Sequence, residues 1–313
     1  MKEYRALRAK HSFMEMCKTP DIAARVTLQP IERFDLDAAI IFSDILIPLE
    51  PMGVDFEFAK GEGPVFHHPV REMKEVERLR NIEPGEDIPF LLEAIRIVRK
   101  ELEGKVPLIG FAGAPFTLAS YIIEGGHSKN YVLTKTMMYR DRSIWDALME
   151  KLSAVLIRYL NAQVRAGVQA VQLFDSWVGC LTPSDYEEYV LPYSRKVIEG
   201  VDRAVPFIHF GTSNSTLLEL MKRAGGDVIG LDWRVDIKEA WSRLGDGVAV
   251  QGNLDPLVLF GPVSLIEREV RRILDRAEGR PGHIFNLGHG ILPETPVDHV
   301  AALVDAVHKY SAK

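Results

Sequence analysis

A chain of 313 residues with 47% hydrophobic and 26% charged side chains can bury a large core and suits a single α/β barrel of about 250 residues plus insertions. Its net charge of −6 argues against a nucleic-acid binder, which would carry a basic surplus, and leaves room only for a local basic cleft facing an acidic small molecule. Two cysteines, Cys17 and Cys180, exclude a disulfide framework and a Cys-rich zinc site, and they predict a reducing, cytoplasmic setting. Met1 to His11 is polar and basic with no apolar stretch, so no secretory signal is expected. No run approaches the roughly 18 apolar residues of a membrane span.

Along the chain, short apolar runs alternate with longer helical patterns. Seven runs are predicted as buried parallel strands: Asp37–Phe42, Val106–Ala112, Ala170–Phe174, Pro206–Phe210, Asp227–Leu231, Val248–Gln251 and His283–Leu287. Polar or small residues follow them: Ser43-Asp44, Gly113, Asp175-Ser176, Gly211-Thr212, Asp232, Gly252-Asn253 and Gly288-His289. Trp145, Leu148, Leu152, Val155, Leu156 and Tyr159 form a helical stripe that Gly167 can terminate. Thr182-Pro183-Ser184-Asp185 and Thr295-Pro296-Val297-Asp298 repeat one helix-start signal, with Thr as cap and Pro in the first turn. Asp236 with Glu239 is a further capping pair. No linker or short repeat interrupts the pattern, so residues 1–313 are predicted as one domain. Polar residues after many different strands favour a closed (β/α)8 barrel of the TIM type over an open sheet, which gathers its ligand at one switch point. Seven strands are one short of that closure.

Several strand ends carry candidate chemistry. Asp44 is an acceptor-only carboxylate among apolar residues; it suits N–H donors or a cationic intermediate, or else it caps the next turn. Gly110 to Thr117 is a strand-to-helix turn of small residues in which Thr117 can cap, though no nucleotide-binding glycine pattern is present. Tyr121 falls early on that helix, either as a core residue or with its hydroxyl turned inward. Ser176 offers a hydroxyl beside Asp175, without the elbow motif of a hydrolase nucleophile. His289, between two glycines, can bond an acid group or move a proton. His67-His68 point to opposite faces of an extended segment, as a solvated loop rather than a metal pair. Lys2, Arg5, Arg8 and Lys10 are a solvated helix face or a carboxylate-binding cluster.

These same residues carry a resemblance. Glu3-Tyr4-Arg5-Ala6-Leu7-Arg8, Leu28-Gln29-Pro30, Leu36 to Leu46 with its Phe42-Ser43-Asp44-Ile45-Leu46 core, Gly61-Glu62-Gly63-Pro64, Gly113 to Leu118, Tyr121 to Gly126, Phe174-Asp175-Ser176, Gln251 to Pro256 and Asn286-Leu287-Gly288-His289-Gly290 are similar to the uroporphyrinogen decarboxylase family, nearly end to end. The resemblance implies a cofactor-free, metal-free barrel enzyme that removes the carboxyl groups of four acetate arms of uroporphyrinogen, and it implies a homodimer with facing clefts. It implies that Asp44 holds the pyrrole N–H groups and stabilises a protonated ring. Tyr121, Ser176 and His289 would orient the acetate and propionate arms, and Arg8 would bind a carboxylate. The family also carries a segment resembling R-Q-A-G-R-Y before the position of Glu3, with two arginines and the first barrel strand. The expectation is that Met1 is an internal methionine or a boundary, and that the chain as given is a poor catalyst.

Two rivals are weighed. A related corrinoid methyltransferase group binds zinc through His-x-Cys and a later Cys; here the strand end reads His209-Phe210-Gly211 and no Cys follows Cys180. A non-catalytic porphyrinogen-binding remnant is the second, and the intact segments around Asp44 and His289 weigh against it.

Overall fold

The computed structural model describes residues 1–59 and 63–311. Of the Gly61-Glu62-Gly63-Pro64 segment, Gly61 and Glu62 lie outside the described residues. The strands are β1 (Ala39–Ile40), β2 (Phe56–Ala59), β3 (Gly63–Phe66), β4 (Leu108–Gly113), β5 (Ala170–Asp175), β6 (Phe207–Gly211), β7 (Val228–Gly230), β8 (Ala249–Gln251) and β9 (His283–Ile284). Seven of them form one parallel sheet in the order β1-β4-β5-β6-β7-β8-β9, with helices between successive strands. Among the described residues β1 and β9 pair with one neighbour each, so the wall is a barrel open on one side.

All seven predicted strands are present. The outer two are shorter than expected: β1 has only the β4 side to bond, through Ala39 N–H to the Pro107 carbonyl and Ile41 N–H to Ile109, and β9 holds two residues before an isolated bridge between Leu254 and Leu287. Side chains alternate across the wall. Ile40, Ile109, Gln172, Phe174, Phe210, Gln251 and Ile284 face the interior, where Phe111, Phe174 and Phe210 meet edge to face at 5.5 and 5.8 Å between centroids. Residues on the other face, such as Leu108, Ala112, Val171 and Ile229, are buried against the helices.

The helix Arg142–Ala166 buries the whole stripe from Trp145 to Tyr159 and ends at Gly167, which adopts φ 115°. Gln163 on this helix clamps β4: its amide accepts from Phe111 N–H at 3.0 Å and donates to the Phe111 carbonyl at 2.8 Å. Thr182 caps the helix Pro183–Tyr189 through a reciprocal bond with Asp185, and Asp236 caps Ile237–Leu244 by accepting from Lys238 and Glu239 N–H. Thr295 departs from the expected repeat. The last helix opens at Val297, and the Thr295 hydroxyl is buried without a partner.

The β2–β3 hairpin was not anticipated. Its register pairs Phe56 with Phe66, and the alternation of Phe56, Glu57 and Phe58 is its signature in the sequence. Phe13, Phe56, Phe58 and Phe66 form one aromatic run that reaches Tyr121.

Candidate active site

Because the strands are parallel, every segment that follows one lies at the same end of the wall. Asp44 follows β1, Tyr121 sits on the helix Pro115–Glu124 after β4, Ser176 follows β5 and His289 follows β9. The helix starts after β4 because Pro115 fixes its first turn, and it stops at Gly125 with φ 84°.

Asp44 accepts one bond, from Leu46 N–H at 2.8 Å, so it does cap the following turn. Burial pushes its carboxyl up to about 6, against the pull of that N–H. Tyr121 lies within reach of its charge: burial first, and Asp44 second, push the phenol up to about 12. Burial likewise pushes the Cys17 thiol up to about 12, with Asp44 raising it further and Arg8 opposing. Arg8 therefore stands on the Asp44 side of the wall. It is exposed at the end of the helix Lys2–Arg8 and donates to the His11 carbonyl at 2.8 Å.

Tyr121 meets Trp177 in a tilted contact, 3.9 Å between ring centroids, which ties it to the turn holding Ser176. Behind that turn is Asp175, fully buried. Its Oδ1 accepts from the Thr117 hydroxyl at 3.0 Å, and the same hydroxyl receives Trp177 N–H at 3.4 Å. Thr117 does not cap its helix, as its sequence position suggested; it joins the two strand ends instead. Oδ2 of Asp175 has no partner, and burial pushes the carboxyl up to about 7 despite the Thr117 bond. The Ser176 carbonyl is held by the Thr212 hydroxyl.

His289 belongs to a second group. It is exposed, and its Nδ1 accepts from Gly290 N–H at 2.7 Å, which leaves Nε2 as the donor of the neutral ring. Its ring meets Trp233 edge to face at 6.0 Å. Asp44, Tyr121 and Ser176 follow strands of one part of the wall and His289 follows its last strand; of these four, only His289 lines the open interior. That interior is a cavity of about 1620 Å³ lined by Tyr4, Arg5, Phe174, Phe210, Gln251 and His289 among others.

His67 and His68 are both exposed, with His67 Nε2 3.8 Å from Glu57. Among the described residues no three His, Cys, Asp or Glu side chains gather as a metal site requires, and no helix is long and apolar enough to cross a membrane. Sequence reasoning missed Trp233 and Arg234, which follow β7 beside His289; Asp232 was noted only as a polar strand end.

The family model described as Uroporphyrinogen decarboxylase (URO-D) matches residues 1–310. The chain belongs to the uroporphyrinogen decarboxylase family. It is 59% identical over 309 residues to the uroporphyrinogen decarboxylase of Sorangium cellulosum, covering 98% of this chain and 88% of that one. It is 56% identical over 313 residues to that of Carboxydothermus hydrogenoformans, covering 100% and 89%. Among solved structures, a methyltransferase from Methanosarcina mazei superposes with a TM-score of 0.77 at 23% identity, over 95% of this chain and 88% of that one. A B12-independent methionine synthase from Shewanella sp. W3-18-1 superposes at 0.60 with 12% identity, over 93% and 86%. At these identities the two structures share the fold of the family and nothing more.

Proposed function

We propose that this chain decarboxylates the four acetate arms of uroporphyrinogen III to give coproporphyrinogen III. The observation that carries the reading is the match of the uroporphyrinogen decarboxylase family model to residues 1–310, with relatives of that name 56 to 59% identical across the chain. The site is compatible with the chemistry. Protonation of an electron-rich pyrrole carbon turns the ring into a cation. The electrons of the bond to the departing CO2 flow into that cation, a second proton on the freed carbon gives a methyl group, and the first proton leaves the ring carbon to restore the aromatic pyrrole. The ring itself is the electron sink, so no cofactor is required. Asp44, raised to about 6 by burial, ionises against the pyrrole N–H groups and offsets the ring cation. Tyr121 and Ser176 stand beside it for the arm that reacts, Arg8 for a carboxylate at the rim, and His289 for an arm across the opening.

The strand end considered for a zinc ligand supports no methyltransferase reading. His209 is fully buried, and alternation turns it toward the helices while Phe210 faces the interior. The homodimer and the cytoplasmic setting are proposed on the family resemblance and the two free cysteines, and sedimentation at several protein concentrations tests the first. Incubation with uroporphyrinogen under reducing, oxygen-free conditions should yield coproporphyrinogen, detected as coproporphyrin after oxidation. A folded protein that binds uroporphyrin and releases no coproporphyrinogen would mark a binding remnant and overturn the enzymatic reading.

A further inference from the structure

Asp232, Trp233 and Arg234 form a compact unit after β7. Asp232 is fully buried. One of its carboxylate oxygens accepts from Arg234 N–H at 2.9 Å, and the other takes both Ser213 N–H and Nη1 of Arg234. Its carbonyl accepts from the Asn253 side chain at 2.8 Å, so four hydrogen bonds from three residues hold this aspartate in place. The guanidinium it anchors lies over the neighbouring indole, with Cζ 3.8 Å from the Trp233 ring centre. Salt bridge and stacking together leave Arg234 little rotamer freedom. Its side chain is nevertheless 49% exposed. Of the five N–H donors of a guanidinium, only those on Nη1 are engaged among the described residues.

The other edge of the indole meets His289, whose ring lines the open cavity. The backbone of the His289 loop is seated on the same unit. A Cβ at Gly288 would stand 2.4 Å from the Trp233 nitrogen. Arg234 and His289 therefore flank one tryptophan in a fixed arrangement, at the end of the wall where the other candidate residues lie.

We propose that Arg234 is a substrate-binding residue, a pre-set fork for one side-chain carboxylate of the anionic tetrapyrrole whose neighbouring arm meets His289. The proposal rests on the tetrapyrrole reading above. An arginine placed only to neutralise Asp232 would have no need to keep half of its side chain in solvent and its guanidinium over an indole. A planar fork with free parallel donors suits a carboxylate and is a poor match for a single neutral acceptor.

The test is titration with uroporphyrin, the oxidised ring that keeps the carboxylates and does not turn over, followed by tryptophan fluorescence. The parent chain, Arg234→Gln and Arg243→Gln are compared. Arg243 pairs with Glu219 on the helix side, so its variant controls for loss of one positive charge. Arg234→Gln should weaken binding roughly 10- to 100-fold, the range for a charged hydrogen bond, while Arg243→Gln leaves it within about twofold. If Arg234→Gln alone does not fold, Asp232→Asn with Arg234→Gln removes both charges and keeps an oxygen for the Ser213 N–H; it should show the same loss. Parental affinity in either folded variant, or an equal loss in Arg243→Gln, would overturn the proposal while the functional reading stands. A parent chain that binds no uroporphyrin would overturn both.

Discussion

Two buried carboxylates at the strand ends differ in what surrounds them, and their behaviour with pH should differ accordingly. Asp44 keeps some contact with solvent and sits near 6. Its proposed role needs the ionised form, so kcat/KM should fall as pH drops below about 6, since this profile reports groups of the free enzyme. Asp44→Asn keeps an oxygen for Leu46 N–H and should hold its fold, yet lose about 100- to 1,000-fold in turnover along with the acid limb. Near-normal turnover in that variant would reduce Asp44 to a turn cap. Asp175 has no solvent beside it and sits near 7. Below the usual carboxylate range the folded and unfolded chains are both protonated there, and nothing is lost. As pH climbs from that range through about 7, the unfolded chain ionises readily while the folded one resists, so stability declines across this window. Asp175→Asn is neutral throughout and should gain on the parent between pH 5 and pH 8 by on the order of 2–4 kcal/mol. Urea unfolding at the two pH values measures it, and an unchanged difference would mean that Asp175 ionises freely in the fold.

Between strands and loops, the tightest constraint is on the segment that ends β9. Gly288 packs against the backbone of Asp232 and Trp233, at 2.4 to 3.0 Å from where a Cβ would stand, and backbone cannot swing aside as a side chain can. Gly288→Ala should therefore cost about 1–3 kcal/mol and shift His289 off Trp233, lowering kcat/KM with it; thermal melting beside a rate measurement checks both, and parental values for the two would show that the loop adapts. The seven wall strands were legible because apolar runs covered on both faces announce themselves, as Ala170–Asp175 and Phe207–Gly211 do. So was the helix from Arg142, whose stripe and terminal glycine both survive in three dimensions. The ends were harder to read. Thr117 and Thr295 each stood at a plausible cap position, but one hydroxyl is drawn across to Asp175 and the other is stranded because its helix opens at Val297. The hairpin β2–β3 escaped since its alternation runs over only three residues on one strand. Arg234 escaped for another reason: an arginine becomes meaningful only when a buried aspartate and an indole fix its direction, and that is tertiary information.

Across the whole molecule, the wall is open between β1 and β9, and little spans the gap. The contacts across it are exposed and polar: Arg5 reaches the Pro293 carbonyl at 3.4 Å, and His308 of the last helix stands 3.6 Å from Asp35 and 3.5 Å from Asp37. Behind them lie two strand edges that are unpaired among the described residues and an apolar interior of about 1620 Å³. Ile40 on one edge strand and Ile284 on the other are 44% and 43% exposed and face this cavity. Unpaired edges with apolar side chains are templates for another chain, and charge on an edge strand is the usual protection against such pairing. The chain should therefore self-associate beyond the proposed homodimer as its concentration rises, by pairing at these edges. Ile40→Lys with Ile284→Lys should suppress the association while changing stability little, because both side chains are already nearly half in solvent. Leu257→Lys supplies the control, since Leu257 is 60% exposed elsewhere on the surface and lines none of the opening. Light scattering across a concentration series separates the outcomes. Suppression by the edge pair and not by the control places the contact at the gap; equal suppression by both reduces the effect to net charge, and association unchanged by the edge pair removes the gap as its site.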